Sequence, residues 1–215
     1  MSEDESTSRI PLLPTTRLET LADGIFAIAM TLLALSIEVP VLPGNPTPNI
    51  IYEYIITTLI PQISIYALSF ILLAVFWMNH HIFFIIKRTN TTLLWINILW
   101  LMSIAIVPFS TSMIGKYGDI LLSQFIFDIN MLIIGVLSLA NWTYASNHEM
   151  IAEKVMPYTD KIKITFLTLP LLSIIAIIIS FIIPYGSIYV FIMVPAIFTL
   201  YTVSRRRKVL KQVRK

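Results

Sequence analysis

Residues 164–183 read ITFLTLPLLSIIAIIISFII, twenty residues without a charge. An α-helix rises about 1.5 Å per residue and the hydrocarbon core of a bilayer is about 30 Å thick, so this stretch is long enough to cross a membrane. Lys161 and Lys163 precede it, and Pro184 and Gly186 follow it. The stretch therefore predicts a transmembrane helix bounded by charges on one side and a turn on the other.

Five further segments have the same apolar character. The 215 residues are 57% hydrophobic and 13% charged, with a mean hydropathy of +0.82, whereas about a quarter of residues are charged in soluble domains. The predicted spans are residues 18–39, 63–86, 91–111, 120–145, 164–183 and 188–204. We expect an all-α, polytopic membrane protein of six transmembrane helices, with residues 1–215 forming one transmembrane domain.

The basic residues predict the orientation of these helices, because Lys and Arg near span ends are retained on the cytoplasmic side. Of the fifteen basic residues, all but Lys116 lie on one side of the predicted membrane. We therefore expect an integral cell membrane protein with segment 1–16 and the tail 205–215 in the cytoplasm. Seven basic residues lie in that tail, which we expect to bind anionic lipids of the bilayer and not nucleic acid.

Several classes of protein lack their sequence signatures here. The chain has no cysteine, which excludes disulfides and thiolate metal sites. It has no Walker A sequence, no nucleophile and histidine constellation, no TVGYG filter loop and no helix of repeated arginines. We expect neither an enzyme nor an ATP-driven pump, and no cofactor. Because the predicted loops are short apart from residues 39–61, the function is expected to lie within the membrane.

The first span begins with charged residues, which are costly inside membranes and usually functional. Arg17 and Asp23 are six residues apart, about 240° around a helix, so they cannot pair along one face. Each needs a partner on another helix or subunit. Alternatively, Arg17 extends to lipid headgroups and Asp23 is stabilised by the helix N-terminus.

Further along this span, Ile28, Thr31 and Leu35 form one stripe at i, i+3 and i+7. Two aliphatic side chains on either side of a hydroxyl are common in ordinary helix packing in membranes. The same stripe can also form a hydrophobic constriction, which closes a pore by dewetting and selects by diameter. The residues alone leave both interpretations open.

The second span ends with Trp77, His80 and His81. Trp77 and His81 share a face at i and i+4, whereas His80 points about 100° away. Adjacent histidines on a helix diverge, and no further His or Cys cluster accompanies them, so a metal site is not expected. A hydrogen-bonded partner for Asp23 is the better interpretation.

Asp128 in the fourth span supports a different class of function. A carboxylate buried there could relay protons, although we favour a later start of the span that would make Asp128 interfacial. The alternative function is a proton-coupled secondary transporter that uses Asp128 and Asp23, with broken helices at Pro170 and Pro195. A membrane scaffold without transport activity is a third class.

Three motifs in order resemble a known family. Arg17, Asp23 and the intervening residues are similar to the R-x-x-x-F-S-D signature of the lysosomal and endosomal leak potassium channels, the transmembrane protein 175 family, especially its bacterial and archaeal branch. Leu21 and Ala22 replace Phe and Ser of that signature. Trp77 to His81 resembles the W-x-N-H-H element of the second helix. The third-helix pattern is matched by Asn97 and by Pro108-Phe109-Ser110-Thr111.

The resemblance implies a homotetramer whose first helices line a central pore, selective for potassium without a P-loop. It places the constriction and selectivity layers of this leak channel on Ile28, Thr31 and Leu35, with potassium passing close to Thr31. A supporting network would hold the pore helix near its cytoplasmic end. That network comprises Arg17, Asp23, Trp77, His80 and His81.

Overall fold

The computed structural model describes residues 15–37, 44, 47–80, 89–148, 150–151, 153–183 and 186–199, and these residues form helices with short connections. The α-helices are α1 (Thr15–Ala34), α2 (Pro48–Tyr54), α3 (Ile60–His80), α4 (Thr91–Ala105), α5 (Val107–Tyr117), α6 (Leu121–Asn147), α7 (Thr159–Ser180) and α8 (Gly186–Phe191). The π-helical segment Ile55–Leu59 joins α2 to α3, and the 3-10 helix Glu153–Tyr158 precedes α7. The N-terminal residues 1–14 and the basic tail lie outside the described residues.

Four of the described helical stretches are long and apolar enough to cross a membrane. They are Pro48–His80, Thr91–Tyr117, Leu121–Asn147 and Val155–Ser180, which correspond to the second to fifth predicted spans. Helix α1 is less apolar because it carries Arg17, Glu19 and Asp23. The stretch that begins with α8, Gly186–Thr199, is shorter. The first and sixth crossings therefore remain predictions.

The proline-rich connection predicted for residues 39–61 is wrong in its second half, which is helical from Pro48. Pro48 occupies the first turn of α2, where its missing N–H is not needed. Pro61 would clash with the carbonyl of Thr57 in a regular α-helix. The wider π-turn directly before Pro61, closed by the Ile60 N–H on the Ile55 carbonyl, lets the helix continue.

The third predicted span ends at residue 111, but the helix continues to Tyr117 after a break at Ile106. Pro108 causes this break, because it removes one backbone donor and its ring displaces the carbonyl of Ile104. Ser110 N then bonds Ile106 O at 3.1 Å, which restarts the helix as α5. The chain is redirected here without leaving helical geometry.

Helices α6 and α7 pack closely because a glycine faces a proline. A Cβ at Gly135 would lie 2.8 Å from Pro170 Cδ, closer than carbon atoms approach without strain. The small residue lets the two backbones come together. Pro170 lies inside α7, which continues from Thr159 to Ser180, so the helix is not interrupted as the transporter hypothesis expected.

The helices enclose two apolar clusters. The larger one includes Phe26 of α1, Leu72 of α3, Trp100 of α4 and Phe127 of α6, all buried. The smaller one lies where α4, α6 and α7 meet, around Trp142. Trp142 Nε1 donates to Thr159 O at 3.2 Å, which satisfies its polar atom. The larger cluster is the contact between α1 and the rest of the chain.

Replacing Gly135 by alanine tests the packing of α6 on α7. The added Cβ must push Pro170 away, and we expect a loss of about 1–3 kcal/mol in unfolding free energy. Gly115→Ala is the matched control, because a Cβ there meets nothing within 4 Å and alanine favours a helix over glycine by about 1 kcal/mol. Thermal unfolding of both purified variants in detergent measures the difference; equal melting temperatures would contradict the close approach.

Candidate functional site

Helix α1 has a buried face and an exposed face. Ala22, Phe26, Ala29 and Leu33 are buried at helical spacing against the other helices. On the other side, Ile28 is 61% exposed and Leu35, in the turn after the helix, is 76% exposed. Thr31 is exposed between them. The stripe predicted from the sequence is therefore not used for packing within this chain.

The hydroxyl group of Thr31 has a defined orientation. Thr31 Oγ1 donates to the carbonyl of Ile28 at 2.8 Å. A hydroxyl has one proton and two lone pairs, so this bond uses its donor and leaves its oxygen as an acceptor. An oxygen that faces outward as an acceptor is suited to a cation rather than an anion.

The structure brings Asp23 to Trp77. Trp77 Nε1 donates to Asp23 Oδ1 at 2.8 Å, a charge-assisted bond that joins α1 to α3. Arg17 lies in the first turn of α1 and is exposed, and the hydrogen bond of Asp23 does not involve it. The predicted network is thus brought together in part, and His81 lies outside the described residues.

His80 is buried and stacks on Trp100 of α4, with ring centroids 5.1 Å apart and planes 10° apart. Trp100 also contacts Phe26 of α1, with centroids 5.7 Å apart. Trp100 therefore connects α1, α3 and α4. Sequence reasoning missed both Phe26 and Trp100. Phe26 could have been found, because it lies on the face of α1 opposite the stripe of Ile28, Thr31 and Leu35.

The polar residues of the third-helix motif lie inside the protein. Thr111 Oγ1 donates to Ser69 Oγ at 2.9 Å, and Asn130 Nδ2 donates to Ser110 Oγ at 3.1 Å. These bonds join α5 to α3 and to α6. Asn97 of α4 is also buried. The motif contributes cross-links between helices behind α1.

Asp128 is covered by protein, and the depth at which it lies in a membrane stays a prediction. Asp128 is 0% exposed, and Ser180 Oγ of α7 lies 2.6 Å from its Oδ2. Helix α6 begins at Leu121, one residue after the start of the predicted fourth span. No group of three or more His, Cys, Asp or Glu that could hold a metal ion occurs in the part of the chain that the structure describes.

Fold and site define a multi-pass helical membrane protein in which helix α1 is fixed on one face and leaves an apolar stripe uncovered on the other. Residues 17–108 match the family model described as "Endosomal/lysosomal potassium channel TMEM175". That match begins at Arg17 and ends at Pro108, so it includes the motifs of the first two predicted spans and, in the third, Asn97 and Pro108. The resemblance to the TMEM175 family is confirmed over this part of the chain.

Individual relatives agree with the family match. A protein named as a potassium channel in Streptomyces collinus is 37% identical over 102 residues, 47% of this chain and 48% of that protein. Another in Chamaesiphon minutus is 38% identical over 104 residues, 48% of this chain and 50% of that protein. The chain thus spans about half the length of these curated relatives. Their names are those of ion channels, and the family is one of ion channels and not of enzymes.

A solved structure extends the likeness beyond these segments. The crystal structure of a lysosomal potassium-selective channel TMEM175 homologue from Chamaesiphon minutus matches with a TM-score of 0.71 and 28% identity. The match covers 87% of this chain and 97% of that one. The likeness in fold therefore includes the second half of the chain, where the family model does not match.

Trp77→Phe tests the anchoring of α1. The substitution keeps the ring but removes the Nε1 donor, and we expect a coupling energy to Asp23 of about 1 kcal/mol because the bond is partly exposed. A double-mutant cycle with Asp23→Ala, followed by denaturant unfolding in detergent, measures it. Trp95→Phe on the 59% exposed Trp95 of α4 is the control. Additive effects of Trp77→Phe and Asp23→Ala would show that the bond contributes nothing.

Proposed function

We propose that this chain is a subunit of a potassium-permeable leak channel, in which four copies place their α1 helices around a central pore. The observation that carries the proposal is the exposure of Ile28 and Leu35 on either side of Thr31. A ring of identical stripes forms a hole by symmetry. The pore has no P-loop filter and selects at the ring of Ile28.

The composition of α1 supports a position away from lipid. Its exposed side includes Arg17, Asp23 and Thr31, and charged side chains in membranes face other helices or water-filled cavities. Helices α3 to α7 instead belong to the stretches that are apolar enough to cross a membrane. We thus place at the centre of the assembly a charged helix that is not among these apolar stretches.

The contacts behind α1 support the narrowness of the pore. A hydrophobic constriction selects by diameter, so the helices that form it must be held firmly. The bond from Trp77 to Asp23 and the contact of Trp100 with Phe26 fix α1 against α3 and α4. We assign His80 to this supporting network on the basis of its stacking on Trp100, and Arg17 and His81 on the basis of the family motif.

Selectivity follows from the cost of removing water. Isoleucine side chains offer an ion nothing in place of its hydration shell, and potassium holds its water less tightly than sodium. The ring of Thr31, one turn away, presents acceptor oxygens that partly replace the lost water. This arrangement predicts low conductance and a preference for potassium. The ion binds transiently there, and no resident cofactor takes part.

Three further expectations belong to this proposal. Both termini lie in the cytoplasm, the chain crosses the membrane six times, and the tail 205–215 binds anionic lipids through its basic residues. The assembly of several copies is supported by the match to the crystal structure of a potassium-selective channel, because that match covers 97% of the channel's chain. Potassium as the permeant ion is supported by the two bacterial relatives that are named potassium channels, each of which is matched over about half of its length.

The buried position of Asp128 favours a second candidate, a proton-coupled secondary transporter that uses Asp128 and Asp23. The contacts argue against a direct relay, because Asp128 bonds Ser180 near the end of α7, whereas Asp23 bonds Trp77 of α3. Flux that saturates with substrate and is lost in Asp128→Asn would support the transporter. Ohmic single-channel currents would end it.

Ile28→Asn tests the constriction. An amide provides hydrogen bonds to water at the narrowest ring, so we expect single-channel conductance to rise and the preference for potassium over sodium to fall. Purified protein in planar bilayers, with ion gradients that give the reversal potential, measures both quantities.

The control for this variant is Ile178→Asn on α7. Ile178 is 56% exposed, close to the 61% of Ile28, but it belongs to an apolar span that we place against lipid. Its substitution should leave conductance and selectivity unchanged. If Ile28→Asn behaves in the same way as Ile178→Asn, Ile28 does not lie in the pore.

Leu35→Cys tests the assembly. The chain has no cysteine, so a single substitution provides the only thiol. Around a narrow symmetric pore, thiols from neighbouring copies meet, and mild oxidation in membranes should give disulfide-linked dimers. A dimer is the largest covalent product, because each copy has one thiol, and the assembly that contains these dimers should be a tetramer. Ile178→Cys, which we place on the lipid-facing side, should remain monomeric on denaturing gels. Equal cross-linking of the two variants would contradict a central position for α1.

A further inference from the structure

Asp128 lies where an aspartate is least expected. It is the eighth residue of α6, about 10 Å along the helix from Leu121, and it is 0% exposed. Gln124 and Asn130 are buried in the same helix, and Ser180 of α7 and Ser187 of α8 face Asp128 from the neighbouring helices. Its place in the fold is separate from the exposed stripe of α1, and the proposed pore does not use it.

Hydrogen-bond counting shows a conflict at its neighbour Ser180. Ser180 Oγ lies 2.6 Å from Asp128 Oδ2 and 3.1 Å from the carbonyl oxygen of Ala176. A carbonyl and an ionised carboxylate are both acceptors, yet a serine hydroxyl has one proton. With an ionised Asp128, one of these two short contacts has no proton in it. With a protonated Asp128, each contact has one.

The other side of the carboxyl group leads to the same conclusion. Ser187 of α8 also faces this carboxyl, but neither Asp128 Oδ1 nor Ser187 Oγ has a hydrogen-bond partner of good geometry among the described residues. A buried carboxylate needs a cation or several donors to offset the loss of water. A neutral carboxylic acid needs neither, because an unpaired carbonyl oxygen costs far less than an unpaired charge.

The ionisable groups nearby do not provide such a cation. At the C-terminal end of α5 and in the turn that follows it, Lys116, Tyr117 and Asp119 are exposed. Tyr189 of α8 is 69% exposed, and Lys161 and Lys163 lie at the opposite end of α7. Within the part of the chain described, the side chains that interact with Asp128 are the hydroxyls of Ser180 and Ser187.

We propose that Asp128 is an intramembrane proton-binding site. The proton resides on Asp128 Oδ2 and is donated to Ser180 Oγ, and the Ser180 hydroxyl donates its own proton to the carbonyl of Ala176. This chain of two hydrogen bonds joins α6 to α7 without placing a charge in the bilayer. Loss of the proton leaves an uncompensated charge between α6, α7 and α8, so bound proton and close packing of these helices depend on each other.

Infrared spectroscopy of proteoliposomes in neutral buffer tests the protonation directly. The wild type should show a carbonyl stretch of a carboxylic acid that shifts in heavy water, and Asp128→Asn should remove that band. The matched control is Asp119→Asn, which alters an exposed acid and should reduce the carboxylate band instead. Loss of carboxylate intensity in Asp128→Asn, with no change in the acid band, would overturn the proposal.

A second measurement distinguishes this site from a misfolded variant. Ser180→Ala removes the acceptor of the proton, so the acid band of Asp128 should move to higher frequency while remaining present. Ser173→Ala removes another buried serine of α7, whose hydroxyl donates to the Leu169 carbonyl at 2.9 Å, and should leave the band unmoved. A band that is unmoved in Ser180→Ala would contradict the bond.

Ion flux through the same liposomes separates this proposal from the proposed channel. Asp128→Asn retains a donor for Ser180 and should preserve potassium flux. The infrared result does not depend on flux, so the proton site can be rejected while the channel stands, and the channel can be rejected while the proton site stands.

Discussion

A lipid bilayer offers the chain no hydrogen-bond partners, and most of the described structure satisfies that constraint. The backbone is helical through the apolar stretches. Hydroxyl groups inside them donate to carbonyls of their own helix, as Ser103 does to Leu99 O and Ser138 to Ile134 O. Other polar side chains bond to a neighbouring helix, and these bonds help to determine which helices are neighbours. Thr111 with Ser69 and Asn130 with Ser110 connect α5 to α3 and α6 in this way.

Helix α1 depends on those neighbours for its position. Its buried face is small and contains two alanines, Ala22 and Ala29, so aliphatic packing alone orients it weakly. The aromatic contact of Phe26 with Trp100 and the bond of Asp23 to Trp77 depend on orientation, so they fix the rotation of α1 about its axis as well as holding it in place. Phe26 lies on the face of α1 away from Ile28 and Thr31, whereas Asp23 is exposed. The helix is therefore held by one face, and the other is available for an assembly of several copies.

Much of the architecture could be predicted from hydrophobic length. The four apolar stretches between Pro48 and Ser180 follow from composition, because a helix of more than about 20 apolar residues has few alternatives in a membrane. Prolines were less informative. Pro61 and Pro170 suggested a loop and a break, but helices continue through both of them. Pro108 lay inside a predicted span, yet the helix is interrupted at Ile106.

The sequence by itself determined that the chain is a helical membrane protein and that Ile28, Thr31 and Leu35 share one face of its first helix, because both facts follow from local periodicity. Tertiary structure decided which face of α1 is covered, that Trp77 is the partner of Asp23, and that Asp128 is sealed against Ser180. These facts join residues more than fifty positions apart. Local pattern cannot specify such pairs, because they depend on how the helices pack around one another.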